Sequence, residues 1–571
     1  MTYQERYRAW LREFADDEAT MAELRGIAGD EGEIEDRFYT DLSFGTAGMR
    51  GLLGAGDNRM NCYTVRKATR GLADYMNRNP AQAASGVVIA FDSRRMSPEF
   101  AREAALVLCA QGIRAYLFDS LRPVPVLSFA VRELHAVAGI VITASHKPAE
   151  YNGYKVYWED GAQLPPERAD AVLACILATS YAKARPMDEA RARACGLLQT
   201  VGRAIDDAYI ARVKALSVQP ELMAAHGKSL KVVYTPLHGA GNLPVRRILR
   251  EVGVGSVIVV PEQEEPDPRF PTVAAPNPEN PDALALAIAL AERERADCVL
   301  GTDPDCDRVG VAIRDAAGKY RLLTGNQIGC VLLYYILAGR KASGTLPTDG
   351  AVVKSIVSTE LARAIASDFG ARVFDVLTGF KYIAEKIQEF ENTGAHTFLF
   401  GFEESYGYLS STFVRDKDGV NAAMLIAEAA VWAKSRGKTL YDVMLEIYDA
   451  YGFYAERVMT VTLPGKDGLQ RMRRIMARLR EHPPQAFAGI SVTAARDYQS
   501  GLRTAKDRIE RMGLPASDAL YYELEGGAWV CVRPSGTEPK MKLYINTRGR
   551  DQAEAERQNA SLQDVARSLM A

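Results

Sequence analysis

Short runs of β-branched residues alternate with helix-like segments along most of the chain, and this alternation limits the folds available to it. Residues 87–91 read Val-Val-Ile-Ala-Phe and form a predicted strand, and residues 97–110, which open with Ser-Pro-Glu, form a predicted helix. Similar predicted strands lie at residues 139–143, 231–234, 256–260, 298–300, 351–354 and 397–400. Strands separated by helices favour parallel, doubly wound sheets. The sequence therefore predicts an α/β fold.

The length of 571 residues exceeds that of one ordinary domain and indicates several. Residues 1–40 are rich in Glu, Asp and Arg at helical spacing and predict an N-terminal helical extension. Breaks rich in Gly and Pro near residues 205, 323 and 455 divide the remainder. We therefore predict three similar doubly wound α/β domains and a smaller C-terminal α+β domain, at residues 41–205, 206–323, 324–455 and 456–571.

Composition and charge exclude several classes of protein. The formal net charge of −2 gives no basic footprint for nucleic acid and no polybasic membrane signal. The longest uncharged stretch, residues 323–339, is more typical of a buried helix than of a membrane span. The chain starts with charged residues where a signal peptide would be apolar, and its cysteines include no C-x-x-C pair. We expect a cytoplasmic protein with reduced thiols that binds neither nucleic acid nor membrane.

A serine-containing loop follows the strand predicted at residues 139–143. It reads Thr143-Ala-Ser-His-Lys-Pro-Ala-Glu-Tyr-Asn-Gly-Tyr-Lys155. A turn at a strand end can expose Ser145, and Lys155 is close enough in the chain to fold back; the alternative is an ordinary loop serine before an Asn-Gly turn. The chain has no G-x-S-x-G elbow, which disfavours a Ser-His-Asp hydrolase. His146, adjacent in sequence, is not expected to face Ser145 as a base.

An acidic segment, Gly301-Thr-Asp-Pro-Asp-Cys-Asp-Arg308, lies between two apolar strands. In an extended segment the carboxylates of Asp303, Asp305 and Asp307 point to one side and can hold a hard divalent cation. A solvated acidic turn is the alternative, but three carboxylates between apolar strands are costly without a cation. Magnesium suits all-oxygen ligands combined with a phosphate oxygen. An EF-hand is excluded because Arg308 and Arg314 stand where that loop needs Gly and Glu.

Two further loops carry groups suited to a phosphorylated sugar. In Gly401-Phe-Glu-Glu-Ser-Tyr-Gly407, Glu403 and Ser405 are two residues apart, so both can face a ligand and bond sugar hydroxyls. An acidic loop without a ligand is the alternative. In Arg533-Pro-Ser-Gly-Thr-Glu-Pro-Lys-Met-Lys542, small hydroxyl residues around a glycine expose backbone N–H groups between basic side chains. This composition suits a phosphate dianion, with a simple β-turn as the alternative.

Together and in this order, the four loops resemble the α-D-phosphohexomutase superfamily over essentially the whole chain after residue 40. The resemblance begins at Phe44-Gly-Thr-Ala-Gly-Met-Arg-Gly51. It is strongest to the longer phosphoglucomutases, a subgroup that also includes phosphopentomutases, through Tyr151-Asn-Gly-Tyr-Lys-Val-Tyr-Trp158, Leu377-Thr-Gly-Phe-Lys381 and Val414-Arg-Asp-Lys-Asp-Gly419. The resemblance implies four domains around one central cleft, each contributing a loop.

The resemblance also implies roles for individual residues. Ser145 would be the phosphorylated serine and would share the Mg²⁺ with Asp303, Asp305 and Asp307. Arg50 and Lys155 would lie beside the phosphoserine, Arg308 would face the same cleft, and Lys417 would be the second proton-transfer group. The predicted substrate-binding residues also include His146, Thr378, Gly379, Lys381, Glu403, Ser405, Arg533, Ser535, Gly536, Thr537 and Lys542.

The activity implied is a phosphosugar mutase that interconverts α-glucose 1-phosphate and glucose 6-phosphate, with glucose 1,6-bisphosphate as intermediate and activator. Phosphopentomutase and phosphomannomutase remain open, because the four loops explain phosphate handling and not sugar identity. A non-catalytic sugar-phosphate-binding protein is an alternative of another class, although Ser145 and all three aspartates are retained. A metal-dependent phosphatase is a further alternative, and it would release inorganic phosphate.

Overall fold

The computed structural model describes residues 1–46, 48–463, 468–534 and 540–570. By contacts the chain divides into two units. The first comprises residues 1–323 and 406–439, and the second comprises residues 324–405 and 440–571. The chain therefore leaves the first unit, enters the second, returns to the first and then completes the second. The domain boundaries predicted near residues 205, 323 and 455 stay predictions.

The predicted N-terminal extension consists of three short helices, α1 (Tyr3–Glu13), α2 (Glu18–Gly26) and α3 (Glu31–Phe38). Thr2, Asp17 and Asp30 cap them, because each side-chain oxygen accepts a backbone N–H from the first turn. Trp10 and Phe38 pack in the cluster that the helices share, and Trp10 also donates to Asp57 Oδ1 at 2.9 Å. Apolar packing and this buried hydrogen bond attach the helices to the first unit.

A seven-stranded sheet follows in the first unit, in the order β1-β2-β6-β5-β3-β4-β7. Its strands are β1 (Phe44–Gly45), β2 (Gly48–Leu52), β3 (Val87–Phe91), β4 (Ala115–Phe118), β5 (Ala138–Ile142), β6 (Tyr151–Trp158) and β7 (Leu198–Val201). The helices around it are α4 (Cys62–Met76), α5 (Pro80–Ala83), α6 (Ser97–Ala110), α7 (Val124–Glu133), α8 (Pro166–Leu177) and α9 (Glu189–Ala194), with a 3₁₀ turn at Tyr181–Lys183.

The four strands β3, β4, β5 and β7 are parallel, as predicted, whereas β1, β2 and β6 run antiparallel to their neighbours. The antiparallel part arises because β6 returns directly from β5 through the serine-containing loop, without a crossover helix. The loop therefore lies between two adjacent, fully paired strands, and the sheet fixes both of its ends.

A second sheet of the first unit has the order β12-β11-β10-β8-β9. Its strands are β8 (Lys231–Thr235), β9 (Ser256–Val259), β10 (Cys298–Thr302), β11 (Val309–Arg314) and β12 (Tyr320–Leu322). The associated helices are α10 (Arg203–Lys214), α11 (Pro220–His226), α12 (Asn242–Glu251), α13 (Pro261–Glu264) and α14 (Ala285–Glu294), with 3₁₀ turns at Gly227–Ser229 and Pro281–Leu284. The acidic segment connects β10 to its antiparallel partner β11, so this loop is also held by two adjacent strands.

The second unit begins with a parallel sheet in which β13 lies between β14 and β15. Its elements are α15 (Gly325–Ala342), β13 (Gly350–Ser355), α16 (Leu361–Asp368), β14 (Arg372–Val376), α17 (Phe380–Thr393), β15 (Thr397–Glu403) and α19 (Leu440–Tyr451). Between β15 and α19 the chain supplies β16 (Gly407–Leu409) and α18 (Gly419–Ser435) to the first unit.

The C-terminal part of the second unit is an antiparallel sheet in the order β17-β24-β23-β22-β19-β20-β21, with β18 on β19. Its strands are β17 (Phe453–Thr462), β18 (Ala486–Phe487), β19 (Ile490–Asp497), β20 (Leu502–Ala505), β21 (Arg508–Arg511), β22 (Leu520–Leu524), β23 (Trp529–Pro534) and β24 (Lys540–Gly549). Helices α20 (Gly468–Glu481) and α21 (Gln552–Met570) pack on it, and a 3₁₀ turn spans Glu525–Gly527. This is the α+β architecture predicted for the C-terminal part of the chain.

Within the described ranges, no helix combines the length and the apolar character that a membrane crossing would require. The stretch predicted as a buried helix is α15, which a capping box of Thr324 and Gln327 opens. All eight cysteines are free thiols in the structure.

Candidate active site

Ser145 lies in the loop between β5 and β6 and has left-handed backbone geometry, with φ at 53°. A non-glycine residue in this region costs roughly 1–2 kcal/mol, so the surroundings must hold it there. The Ser145 N–H donates to Thr143 Oγ1 at 2.8 Å, and the Ser145 hydroxyl donates to Asp303 Oδ2 at 2.7 Å. The side chain is buried rather than exposed as the sequence predicted, with 2% relative exposure. The strained turn therefore directs Oγ at the acidic loop.

His146 contacts Ser145 despite being its neighbour in sequence. Its Nδ1 lies 3.1 Å from Ser145 Oγ, so the expectation that the two side chains would not face each other is wrong. The left-handed turn at Ser145 produces this, because it folds the next side chain back over the hydroxyl. Burial, together with the Arg308 and Arg50 cations, lowers the pKa of His146 well below its usual range. The imidazole is therefore neutral at physiological pH.

The three aspartates of the acidic loop converge, although not by strand alternation. Residues 303–308 form a turn, and the expectation of an extended segment is wrong. Asp303 makes the turn: its Oδ1 accepts the N–H groups of Asp307 and Arg308, each at 3.1 Å, and its carbonyl accepts Cys306 N–H at 2.9 Å. Ligand atoms of Asp303, Asp305 and Asp307 lie within 4.8 Å of one another, and all three residues are buried.

Two lysines partly balance the negative charge of this cluster. Lys155 on β6 places Nζ 2.8 Å from Asp305 Oδ2, and Lys417 places Nζ 3.1 Å from Asp307 Oδ2. Burial raises the pKa of Asp307, but Lys417, Lys155 and Arg308 outweigh this and hold that pKa below its usual range. Burial, with the charges of Asp305 and Asp307, raises the pKa of Asp303 well above its usual range. The two lysines thus pair with Asp305 and Asp307, whereas Asp303 accepts the hydroxyl of Ser145.

The donor set fits a hard divalent cation. Asp305 Oδ1 and Asp307 Oδ1 are buried and have no hydrogen-bond donor among the described residues. An orphaned buried carboxylate oxygen is costly unless something compensates for it. Clustered carboxylate oxygens beside the hydroxyl of Ser145 are the ligands that Mg²⁺ prefers. The predicted metal role of Asp303, Asp305, Asp307 and Ser145 thus has a suitable geometry.

Lys417 is held by residues that the sequence did not single out. It precedes Asp418, the N-cap of α18, and its Nζ donates to Asp416 Oδ1 at 2.9 Å. The other carboxylate oxygen of Asp416 accepts Tyr157 OH at 2.7 Å and Gln163 Nε2 at 2.9 Å. Asp416 therefore fixes the ammonium group of Lys417 against both the acidic loop and the sheet. Tyr157 and Gln163 could not be predicted as partners, because they are far from Lys417 in the sequence.

The two predicted arginines have different surroundings. The guanidinium of Arg308 forms an ion pair with Glu279 and lies 3.8 Å from Asp307 Oδ1. Glu279 was not singled out in the sequence, because nothing in its local pattern distinguishes it. Arg50 on β2 is exposed, and its charge acts on Asp305 and Asp307. Both arginines therefore add positive charge near the aspartate cluster.

Arg94 and Asp92, just after β3, are further residues that sequence reasoning missed. Arg94 donates to backbone carbonyls of the serine loop, including that of Ser145 at 2.6 Å. Asp92 accepts the N–H of Arg94 at 2.9 Å and the hydroxyl of Ser97 at 2.7 Å. Two charged residues directly after an apolar strand, in Phe91-Asp-Ser-Arg94, were the available signal.

In the second unit the structure brings together two of the predicted sugar-binding segments. Glu403, at the end of β15, accepts the N–H of Gly379 at 2.7 Å. Gly379 has φ at 119°, a conformation that side chains rarely adopt, and it precedes α17. Thr378 and Gly379 thus belong to the turn that Glu403 holds, and Lys381 lies in the first turn of α17. Burial lowers the pKa of Lys381.

Glu404 is a second carboxyl in this region, and its local sequence did not indicate a role. Burial and the charge of Glu403 raise the pKa of Glu404 to about 7. Its Oε2 accepts the hydroxyl of Ser355 at 2.9 Å, and that hydroxyl also contacts Ser358 Oγ at 2.9 Å. Ser405 follows directly in the chain and is partly buried. The predicted sugar loop therefore contains two adjacent carboxyls with different partners, a backbone N–H for Glu403 and a serine hydroxyl for Glu404.

Arg533 and Lys542 lie opposite each other on the neighbouring strands β23 and β24. Arg533 bonds the side chain of Tyr544, and the charge of Lys542 acts on Glu404. Ser535, Gly536 and Thr537 come between these strands in the sequence and lie outside the described residues. The two basic groups predicted to bind a phosphate therefore lie on paired strands, close to the Glu403–Glu404 segment.

Comparison with family models gives four consecutive matches over most of the chain. All four models describe the phosphoglucomutase/phosphomannomutase family. Its alpha/beta/alpha domain I matches residues 41–183, domain II matches residues 207–318, domain III matches residues 324–451, and the C-terminal domain matches residues 470–564. The models thus follow the order of the four loops in the sequence.

Curated relatives cover nearly the full length of the chain. A phosphoglucomutase of Staphylococcus haemolyticus strain JCSC1435 is 38% identical over 517 residues, which is 90% of this chain and 91% of the relative. A phosphoglucomutase of Staphylococcus aureus strain USA300 is 38% identical over 527 residues, with 90% and 92% covered. Similarity at this level extends through both structural units.

Solved structures share the fold at lower identity. The exocytosis-sensitive phosphoprotein pp63/parafusin of Paramecium, in an open form, superposes with a TM-score of 0.68 at 14% identity, covering 93% of this chain and 95% of that one. A phosphoglucomutase/phosphomannomutase family protein of Burkholderia thailandensis gives a TM-score of 0.66 at 19% identity, with 92% and 96% covered.

Proposed function

Because this chain belongs to the phosphoglucomutase/phosphomannomutase family, we propose that it interconverts α-glucose 1-phosphate and glucose 6-phosphate. The choice of glucose rests on the curated relatives named phosphoglucomutase, which are 38% identical over about nine-tenths of this chain. The reaction is a phosphoryl transfer between two hydroxyls of one sugar, with a phosphoserine and a sugar bisphosphate as intermediates.

The observation that carries the proposal is the position of one hydroxyl. Ser145 Oγ is 2.7 Å from Asp303 Oδ2, in a buried cluster of three carboxylates that two lysines border. A phosphoryl group on this oxygen would lie among charges of both signs. Phosphoryl transfer depends mainly on position and charge neutralisation, so such a cluster suits a phosphoserine enzyme.

Asp303, Asp305 and Asp307 would hold Mg²⁺ together with the phosphorylated Ser145. When bound, this ion neutralises charge on the transferring phosphoryl group. Side chains of the protein would provide the other contacts to the phosphoryl group and to Ser145. Arg50 and Arg308 would add positive charge near the same oxygens, and the neutral imidazole of His146 would contact Ser145 Oγ.

In the first transfer, the Ser145 Oγ–phosphorus bond breaks as a sugar hydroxyl oxygen forms its own bond to phosphorus. The hydroxyl proton must leave, and Ser145 Oγ must be stabilised or protonated. Lys417 and Lys155 are the groups we propose for these proton transfers, because both ammonium groups border the cluster that contains Ser145 Oγ. The product is glucose 1,6-bisphosphate, which turns around and returns its other phosphoryl group to Ser145.

The second unit would supply the sugar and phosphate contacts. Glu403 and Ser405 would bond ring hydroxyls. Glu403 also holds Gly379, and Thr378 and Lys381 on either side of it would contact the substrate. The non-reacting phosphate would be bound by the segment of residues 533–542, through Arg533, Ser535, Gly536, Thr537 and Lys542. Few ring contacts suit a sugar that must bind in two orientations. Glucose 1,6-bisphosphate added from outside would phosphorylate Ser145 and act as the activator.

The experiment is a mutase assay of the full chain with Mg²⁺ and catalytic glucose 1,6-bisphosphate. We expect rapid conversion of α-glucose 1-phosphate, abolished by Ser145→Ala. Ser180→Ala is the matched control, since Ser180 is exposed and lies before the 3₁₀ turn at Tyr181–Lys183. Intact mass measurement before and after bisphosphate should show one added phosphoryl group in the control and none in Ser145→Ala.

Three other outcomes would contradict the proposal in different ways. Faster conversion of ribose 1-phosphate or mannose 1-phosphate would replace glucose as the preferred sugar and leave the mechanism in place. Release of inorganic phosphate without isomerisation would indicate a phosphatase. Full activity in Ser145→Ala would refute the phosphoserine mechanism altogether.

A further inference from the structure

Arg94 is a buried guanidinium whose hydrogen bonds converge on the serine loop. Its Nη2 donates to the carbonyls of Ser145, at 2.6 Å, and Lys147. Its Nη1 donates to the carbonyls of Pro148, at 2.8 Å, and Tyr151, at 3.1 Å. Three backbone carbonyls of the serine loop and the carbonyl of Tyr151, the first residue of β6, thus accept hydrogen bonds from a single cation. These bonds replace the ladder of hydrogen bonds that a strand would provide.

The surroundings fix the guanidinium itself. Asp92 Oδ2 lies 3.4 Å from Arg94 Nε, and neither side chain has measurable exposure. On the other side the guanidinium lies 4.9 Å from the centre of the Phe270 ring, which comes from the segment between α13 and β10. Phe270 is buried, with 1% exposure. The cation is therefore confined by a carboxylate, a ring and four carbonyls, and it has little freedom to move.

Hydrogen bonds hold both the N–H and the carbonyl of Ser145. Thr143 Oγ1 accepts its N–H at 2.8 Å, and Arg94 bonds its carbonyl. With both sides fixed, the residue is held at its positive φ, and Oγ remains directed at Asp303. Without Arg94 the four carbonyls would have to find other donors, and the loop would change conformation.

We propose that Arg94 is a positioning residue for phosphoryl transfer: it holds the serine loop in the geometry from which Ser145 gives up and receives the phosphoryl group. The inference rests on the proposed mutase activity. In this role Arg94 does not contact the substrate. Its effect is on kcat, because it sets the position of an oxygen whose displacement by about 1 Å can cost on the order of 100-fold in rate.

The test uses Arg94→Lys, which keeps the charge. Lysine offers three donors without the planar fork, so it is unable to reproduce the four directed bonds. We expect kcat to fall about 100-fold while KM for glucose 1-phosphate stays within about threefold. Arg95→Lys is the matched control, because Arg95 is the adjacent, exposed arginine. Its kinetics should equal those of the wild type.

A second readout separates positioning from loss of folded protein. The enzyme is phosphorylated on Ser145 with bisphosphate, and the label is followed to glucose 6-phosphate or to inorganic phosphate. In Arg94→Lys we expect the fraction lost to water to rise at least tenfold, because transfer to sugar slows and hydrolysis does not. This ratio does not depend on how much enzyme is active.

If Arg94→Lys does not fold, Asp92→Asn serves in its place, since asparagine keeps the size and acceptor oxygen but removes the charge beside Arg94. A tenfold loss of kcat with the same shift toward water would support the inference. A folded variant of either kind with wild-type kcat and wild-type partition would overturn it. Absence of mutase activity in both the wild type and Arg95→Lys would instead overturn the proposed function, and this inference with it.

Discussion

Glu404 should make the stability of the second unit depend on pH, and Glu404→Gln should remove that dependence. Burial and the charge of neighbouring Glu403 raise the pKa of Glu404 from 4.5 to about 7. Glutamine keeps the size and the acceptor for the Ser355 hydroxyl, which now lies 2.9 Å from Glu404 Oε2. The substitution thus removes the charge and little else.

The sign and size of the effect follow from proton linkage. The folded state holds the Glu404 proton more tightly than the unfolded state, so its stabilising contribution is complete below pH 4.5 and is lost as the pH rises to about 7. The shift corresponds to roughly 3 kcal/mol at 1.36 kcal/mol per pKa unit. Glu404 is not fully buried, so solvent screening reduces this to about 2 kcal/mol.

The assay is differential scanning calorimetry of the full chain at pH 5 and pH 8. At pH 8 we expect Glu404→Gln to unfold about 4–8 °C higher than the wild type in the transition of the second unit, given roughly 2–4 °C per kcal/mol for a unit of this size. At pH 5 the two should nearly coincide. Glu525→Gln is the control, because Glu525 is an exposed glutamate of the same unit. Equal stabilisation at both pH values, or none at pH 8, would refute the reasoning.

Three further predictions concern the first unit. Asp305→Asn should weaken Mg²⁺ binding at least tenfold in a calorimetric titration, because it removes a buried oxygen that has no donor among the described residues; unchanged affinity would exclude Asp305 as a ligand. Gly239→Ala should lower mutase activity at saturating substrate at least tenfold. A Cβ at this position would approach Pro304 Cα to 2.4 Å and displace the acidic loop. A wild-type kcat would show that the loop tolerates the shift. Glu428→Gln should lower the free energy of unfolding, measured in urea, by about 2–4 kcal/mol. The reason is that the fully buried Glu428 side chain accepts two backbone N–H groups and a hydroxyl. A loss below about 1 kcal/mol would contradict this.

The sequence predicted those parts of the site that short segments encode. Ser145 and the three aspartates each follow a strand within a few residues, so the strand pattern and the residue types sufficed to locate them. The parallel strands and the helix at residues 97–110, which is α6, were also predictable from periodicity. Family resemblance added Lys417, whose local sequence shows only that it is charged.

What the sequence did not reveal depends on contacts distant in sequence or on backbone geometry. Asp416 meets Tyr157 across 259 positions of the chain, and no local pattern encodes such a pair. The Ser145–His146 contact and the turn at residues 303–308 arise from left-handed residues, Ser145 and Cys306, that are not glycine. Because such geometry is imposed by the surrounding bonds, composition gives no sign of it.

The passage of residues 406–439 back into the first unit has a consequence for how the protein is made. A ribosome releases the chain from its N-terminus, and domains generally fold as they emerge. Here Asp307 is synthesised long before Lys417, its partner at 3.1 Å, and all of residues 324–405 come between them. Until residues 406–439 have been synthesised, the first unit therefore lacks Lys417, one of the two lysines that pair with its aspartates. We expect nascent chains that end before residue 417 to bind Mg²⁺ differently from the finished protein and to depend on chaperones until α18 arrives.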